Sequence, residues 1–221
     1  MIEKIGPTIY KGGTIYNIGS GGGGSGGGGG GNLPDGFKKC QYIEAVNVGN
    51  IFFDNSFNDL SFDDYIEISA FVNPGSTAWS NYIDFIGYNF GGPIRTLTFK
   101  QNGSQSVVNG FSNQVSLNAA PNIILIKKQG SFLSLNGASI NNDTYSGTVT
   151  KMSTNFFEVS GAVFKQSKLF YLNIYSNDKT VLKHAFIACK DELNRDALID
   201  RITQQYVVLD TSKFICGPVV E

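Results

Sequence analysis

The amino-acid sequence predicts an all-β fold, with antiparallel strands in two sheets packed as a jelly-roll sandwich behind an extended N-terminal arm and a Gly-rich linker. Three observations carry that prediction. Short β-prone runs recur in regular steps, separated by Gly, Asn, Asp and Pro turns. Aromatic residues are plentiful, with 17 Phe and 10 Tyr, and they suit pleated, half-buried surfaces. Residues 64–72 alternate through Ile66, Ile68, Ala70 and Val72, while Tyr65 and Phe71 make the opposite face partly apolar, as in a strand covered on both sides.

Taken in order, residues 1–18 form an arm too short to fold alone. Within it, Thr8-Ile9-Tyr10 and Thr14-Ile15-Tyr16 flank Gly12-Gly13, so two β-prone triplets could close a hairpin. An isolated hairpin is marginal in water. Ile9, Tyr10, Ile15 and Tyr16 are therefore expected to gain order by adding to another surface. Residues 19–31 contain only Gly and two Ser, and such a run has no apolar surface to oppose its conformational entropy. Fixing it costs on the order of 13–26 kcal/mol. A designed linker usually repeats one unit; here the second serine is followed by six glycines, and the arm resembles no purification tag. Gly26, Gly27, Gly28, Gly29, Gly30 and Gly31 lack β-carbons and could lie backbone to backbone with neighbouring copies, so a homo-oligomer, a trimer, is expected.

Residues 32–221 form the predicted jelly-roll domain, long enough for a sizeable core. It opens on the turn Asn32-Leu33-Pro34-Asp35-Gly36. Strands are expected at 41–47, 51–53, 65–72, 82–88, 95–101, 106–110, 122–128, 132–136, 156–160, 168–175, 181–188, 205–209 and 213–216. One helix is expected over Asp191 to Ile202, where Leu193, Ala197, Leu198 and Ile202 have near-helical spacing.

Composition narrows the function. Net charge is −1 and charged residues are 16% of the chain, without a basic stripe, so nucleic acid is not an expected partner. The N-terminus carries no apolar signal region and no run approaches a membrane span, so no membrane is expected either. Cys40, Cys189 and Cys216 make an odd count without C-x-x-C spacing, and read as free buried thiols of a chain made in a reducing cytoplasm. His184 is the only histidine and the three thiols lie far apart in sequence, so zinc is not expected. No cofactor is expected.

Residues 122–140 resemble the central hairpin of a concanavalin A-like, or laminin-G-like, jelly roll: an apolar strand, a turn, then a strand ending in Leu135-Asn136-Gly137. The Asn-Gly pair supplies the positive φ that the tight turn needs. Residues 168–188 are similar to a recurring ending of such domains, with a polar turn at Asn177-Asp178, and Leu198-Ile199-Asp200 and a hairpin over 205–216 match the rest loosely. With its arm and linker the chain resembles bacteriophage structural or fibre proteins. The resemblance implies a virion location after synthesis in the host cytoplasm, docking of residues 1–18 on other virion proteins, and an outward jelly roll. A lectin-like module for host-surface glycan is the alternative.

Enzyme activity is not expected. The glucanases of this fold carry Glu-x-Asp-x-x-Glu on one strand, and no such run occurs here. Asp63, Asp64 and Glu67 read as a solvated edge, Asp84 as a hydrogen-bonded structural carboxylate, and His184 as structural or exposed rather than as a general base. Asn141-Asn142-Asp143 offers oxygen ligands for calcium without the density of a dedicated loop. The candidate glycan platform centres on Trp79, in a polar loop, with Tyr82 beside it and Asn81 or Asn89 bonding hydroxyls. A tryptophan folded back over the core is the competing reading.

Overall fold

The computed structural model describes residues 15–17, 32–53, 59–61, 63–73, 82–89, 94–102, 105–110, 113–117, 123–130, 132–141, 154–160 and 164–220. Eighteen strands run through them. The first five are β1 (Ile15–Asn17), β2 (Lys38–Lys39), β3 (Ile43–Ala45), β4 (Gly49–Phe53) and β5 (Tyr65–Phe71). Next come β6 (Tyr82–Asn89), β7 (Ile94–Asn102), β8 (Gln105–Gly110), β9 (Asn113–Leu117) and β10 (Ile123–Gln129). Then β11 (Phe132–Leu135), β12 (Ala138–Asn141), β13 (Thr154–Ser160) and β14 (Lys168–Tyr175) follow. The last are β15 (Leu182–Lys190), β16 (Asp196–Asp200), β17 (Gln205–Val208) and β18 (Phe214–Cys216).

All pairings are antiparallel and they form two sheets. The larger runs β1-β17-β16-β15-β14-β5-β10-β11-β12, with β2, β3 and β18 attached beside β14 and β15, and the smaller runs β4-β13-β6-β7-β8-β9. The expected hairpin is present, Ile126 facing Leu135 and Gln129 facing Phe132. At the next turn Asn136 has φ 49° and Gly137 φ 85°, the left-handed pair that a two-residue hairpin demands. The Asn136 side chain is also an anchor: Leu125 N–H donates to its Oδ1 at 2.7 Å and its Nδ2 donates to Ile123 O at 3.0 Å.

The core lies between the sheets and is rich in phenylalanine. Phe156 and Phe186 have ring centroids 4.4 Å apart, and Phe53 stands edge-on to both. Phe156 and Phe157 are adjacent yet both fully buried, which strict alternation forbids. A register shift between Phe156 and Val159, with Phe157 at φ 45°, turns both rings inward. A bulge of this kind costs about 1–2 kcal/mol at a non-glycine residue, which burial of a second ring offsets.

Several expectations are corrected. Residues 191–202 are not a helix. Asp191 Oδ1 accepts from Leu193 N–H and Arg195 N–H, Asn194 sits at φ 63°, and the chain turns back into β16. An aspartate that captures backbone donors competes with helix formation; the apolar spacing reflects a strand buried along its whole length, not a helical stripe. Residues 205–216 are not a hairpin, since β17 adds to β16 and β18 to β3. The solvated edge holds for Asp63, which is exposed, but not for its neighbours: Asp64 is buried against Lys183, 2.9 Å away, and Glu67 is partly buried among tyrosines. β2, β9 and β12 lie outside the expected strands. In the arm, Ile15 and Tyr16 of the second triplet are extended, and Tyr16 of β1 pairs with Tyr206 of β17. Ile9, Tyr10 and Gly26 to Gly31 fall outside the described residues.

Cys40 and Cys189 are buried and Cys216 half-buried, all as free thiols. They belong to one neighbourhood, for the Cys216 thiol donates to Cys189 O at 3.3 Å. Burial pushes each thiol above its ordinary pKa, which suppresses the reactive thiolate. Native protein at pH 8 should react slowly with a thiol reagent, while denatured, unreduced protein should yield three thiols per chain. A single thiol per chain would reveal a disulfide.

Candidate ligand-binding face

The outer face of the larger sheet concentrates polar and aromatic groups. It arises from a second bulge. Leu169 pairs with Ala70 and Tyr171 with Ser69, so Phe170 is the extra residue. Leu169 and Leu172 point into the core, and both Phe170 and Tyr171 are left on the outside. Beyond Leu172–Phe186, β14 and β15 separate. The wedge is filled by residues 38–45, with β2 on β15 and β3 on β14. The C-terminal tail closes over that segment: Gly217 N–H donates to Tyr42 O, Gln41 N–H to Pro218 O and Val220 N–H to Lys39 O, all within 2.8–3.0 Å.

A cleft of about 460 Å³ lies at this fork, lined by Lys39, Gln41, Phe170, Tyr171, Asn173, Ile187, Arg201 and Val220. Its floor is supported by a small second core of Ile187, Cys189, Ala197, Ile199 and Tyr206, packed under Leu33 and Phe37. Beside the cleft, Glu67 accepts from Tyr171 Oη at 2.9 Å and Tyr65 Oη at 3.0 Å, with Lys127 3.7 Å away. Burial, then the bond to Glu67, pushes the Tyr171 phenol up to about 12. Tyr171 therefore stays a neutral donor with its ring orientation held. The aromatic row continues through Tyr65 and Tyr175, 5.9 Å apart, with Lys179 over the Tyr65 ring at 4.4 Å. On the other flank Lys168 covers the Tyr42 ring at 4.2 Å. Rings beside amide and cationic donors can stack on a sugar face while bonding its hydroxyls.

Trp79 and Asn81, and the Asn89 side chain, lie outside the described residues. Tyr82 is on the smaller sheet, where its Oη donates to Glu158 Oε1 at 3.4 Å and Lys100 approaches its ring at 5.8 Å. The cleft residues escaped the sequence reading because they come from 39–41, 170–187, 201 and 220, and only the fork between strands unites them. The adjacent pair Phe170-Tyr171 inside a strand pattern was the one local signal.

Carboxylates and the histidine also assemble, at the end of β15. His184 Nδ1 lies 2.7 Å from Asp200 Oδ2 and its Nε2 lies 3.1 Å from Asp59 Oδ1. Both ring nitrogens are thus occupied by carboxylates, which leaves no nitrogen to take a proton from a substrate. Burial pulls the His184 pKa down, but the bond and charge of Asp200, then Asp59, outweigh it and hold the value above the ordinary one. Lys183 next to it bonds Asp64 and Asp59 O. The pair ties Asp59 and Asp64 to β15. Asp84 is buried and accepts from Thr98 Oγ1, and among the described residues no His, Cys, Asp or Glu group forms a metal-ligand set. Comparison with known proteins finds no matching family model, no matching curated protein and no matching solved structure.

Proposed function

We propose that this chain is a non-enzymatic structural protein of a bacteriophage virion, a fibre or decoration component whose concanavalin A-like jelly roll stands outward and meets host-surface glycan. One observation carries the glycan part: a cleft lined by rings and hydrogen-bond donors on the exposed face of the larger sheet. The displayed arrangement is supported by the chain's layout, in which 14 residues precede β1 at the edge of the larger sheet. The Asn136-Gly137 hairpin and the two antiparallel sheets support the jelly-roll reading.

The test has two arms. Full-length protein is applied to a glycan array, and is incubated with particles beside a version lacking residues 1–14, which leaves β1 in place. Glycan binding together with arm-dependent particle association is the expected result. Particle association that survives loss of the arm would remove the docking role, and an array without a single bound glycan would remove the receptor role.

A further inference from the structure

We infer that the cleft at the β14–β15 fork is a site for an acidic sugar, a pyranose bearing a carboxylate or sulfate, with Arg201 and Lys39 receiving the anion. This rests on the glycan reading of the outer face and adds the charge of the ligand. Arg201 lines the cleft. Its backbone is fully engaged, the N–H donating to Ala185 O at 3.0 Å and the carbonyl accepting from Gln204 Nε2 at 2.7 Å. Its guanidinium is not. Nε is shielded from solvent and meets no acceptor, and among the described residues no carboxylate lies within ion-pair distance of Arg201, although eight other cation–carboxylate pairs are formed. A buried polar nitrogen without a partner is uncommon in a folded chain. Lys39, which also lines the cleft, has no side-chain partner among the described residues either.

Glu67, the acid bonded to Tyr171 of the cleft, is held by Tyr65, Tyr171 and Lys127, and among the described residues the cleft lining carries two positive charges and no negative one. A planar guanidinium fork matches carboxylate or sulfate oxygens in pairs, whereas the lysine acts as a point charge. The remaining lining suits the rest of a pyranose. Asn173 and Gln41 offer amides for hydroxyls, and Phe170 with Tyr171 offers ring surface. The cleft volume, about 460 Å³, falls in the range of ordinary small-ligand pockets.

The test is titration calorimetry of full-length protein with sodium glucuronate, N-acetylneuraminate, glucose 6-sulfate, glucose and galactose. The acidic sugars should bind at least about tenfold more tightly than the neutral ones, and more weakly as salt rises. R201Q and K39Q should each lower that affinity about tenfold, with R201K falling between R201Q and the parent. Carboxylated sugar binding alone, or sulfated sugar binding alone, supports the site and says which anion it takes. Neutral sugars binding as well as acidic ones, with R201Q and K39Q unaltered, would overturn the anion site and leave the glycan reading standing. No binding by any sugar, in titration and on the array, would overturn both. If R201Q melts far below the parent, K39Q decides, because Lys39 is exposed and outside the core.

Discussion

Replacing Asp200 with alanine is expected to lower the unfolding free energy by about 3–5 kcal/mol, the range for breaking a buried, hydrogen-bonded charge pair. Asp200 is 0% exposed. Its carboxylate accepts from His184 Nδ1 at 2.7 Å, Ala185 N–H at 2.9 Å, Ile202 N–H at 3.1 Å and Thr203 Oγ1 at 2.7 Å. Alanine would orphan two backbone donors and an imidazole at the end of β15, where water cannot replace all of them. Asp200→Asn keeps the shape and one acceptor, so its loss should be smaller. Urea unfolding read by circular dichroism measures both. A loss under about 1 kcal/mol for the alanine variant would mean that the cluster is dispensable.

The same pair sets a pH dependence with a definite sign. The folded pKa of His184 lies above its ordinary 6.5, so its contribution is complete below about pH 6.5 and is lost as pH rises through the raised folded value. Burial works against the Asp200 carboxylate, but the bonds from His184 and Ala185 hold it below the ordinary 3.8. Its contribution is therefore present above about pH 4 and disappears as pH falls through the lowered folded value. Stability from this pair is greatest between those limits. In Asp200→Asn the decline above neutrality should flatten, a readout that packing alone would not move.

Phe186→Ala should cost about 3–5 kcal/mol, the usual loss for emptying an aromatic site in a tight core. Phe186 is 1% exposed and bridges both sheets. Its ring lies 4.4 Å from Phe156 and 5.6 Å from Phe53 by centroid, and it stacks on His184 at 5.9 Å. Phe53 and Phe156 belong to the smaller sheet, so the truncation would open a cavity in the layer joining the two sheets. The midpoint in urea should fall with the slope unchanged, as for a cooperative domain that still folds. Because the imidazole also leans on this ring, Phe186→Ala and Asp200→Ala should not be additive.

Much of the strand inventory was legible because it depends on local pattern. β5 shows alternation along its own seven residues, and β10, β11 and the Asn136-Gly137 turn are specified by neighbours in sequence. Where local rules compete, reading along the chain failed. Residues 196–200 carry Ala197, Leu198 and Ile199 in one apolar run, which periodicity cannot distinguish from a helix segment. The decision fell to β15 and β17, which bury that strand from both edges. Asp64 looked solvated because its partner, Lys183, is 119 residues away. What the amino-acid sequence determined alone was the β character and the turns, set by residue-level backbone preferences and alternation. Only the tertiary structure decided which polar residues are buried and what lines the cleft. Those depend on a bulge at Phe170, on strands that diverge past Leu172, and on two segments distant in sequence meeting at Lys39 and Val220. Such contacts follow from register between distant segments, which no local pattern encodes.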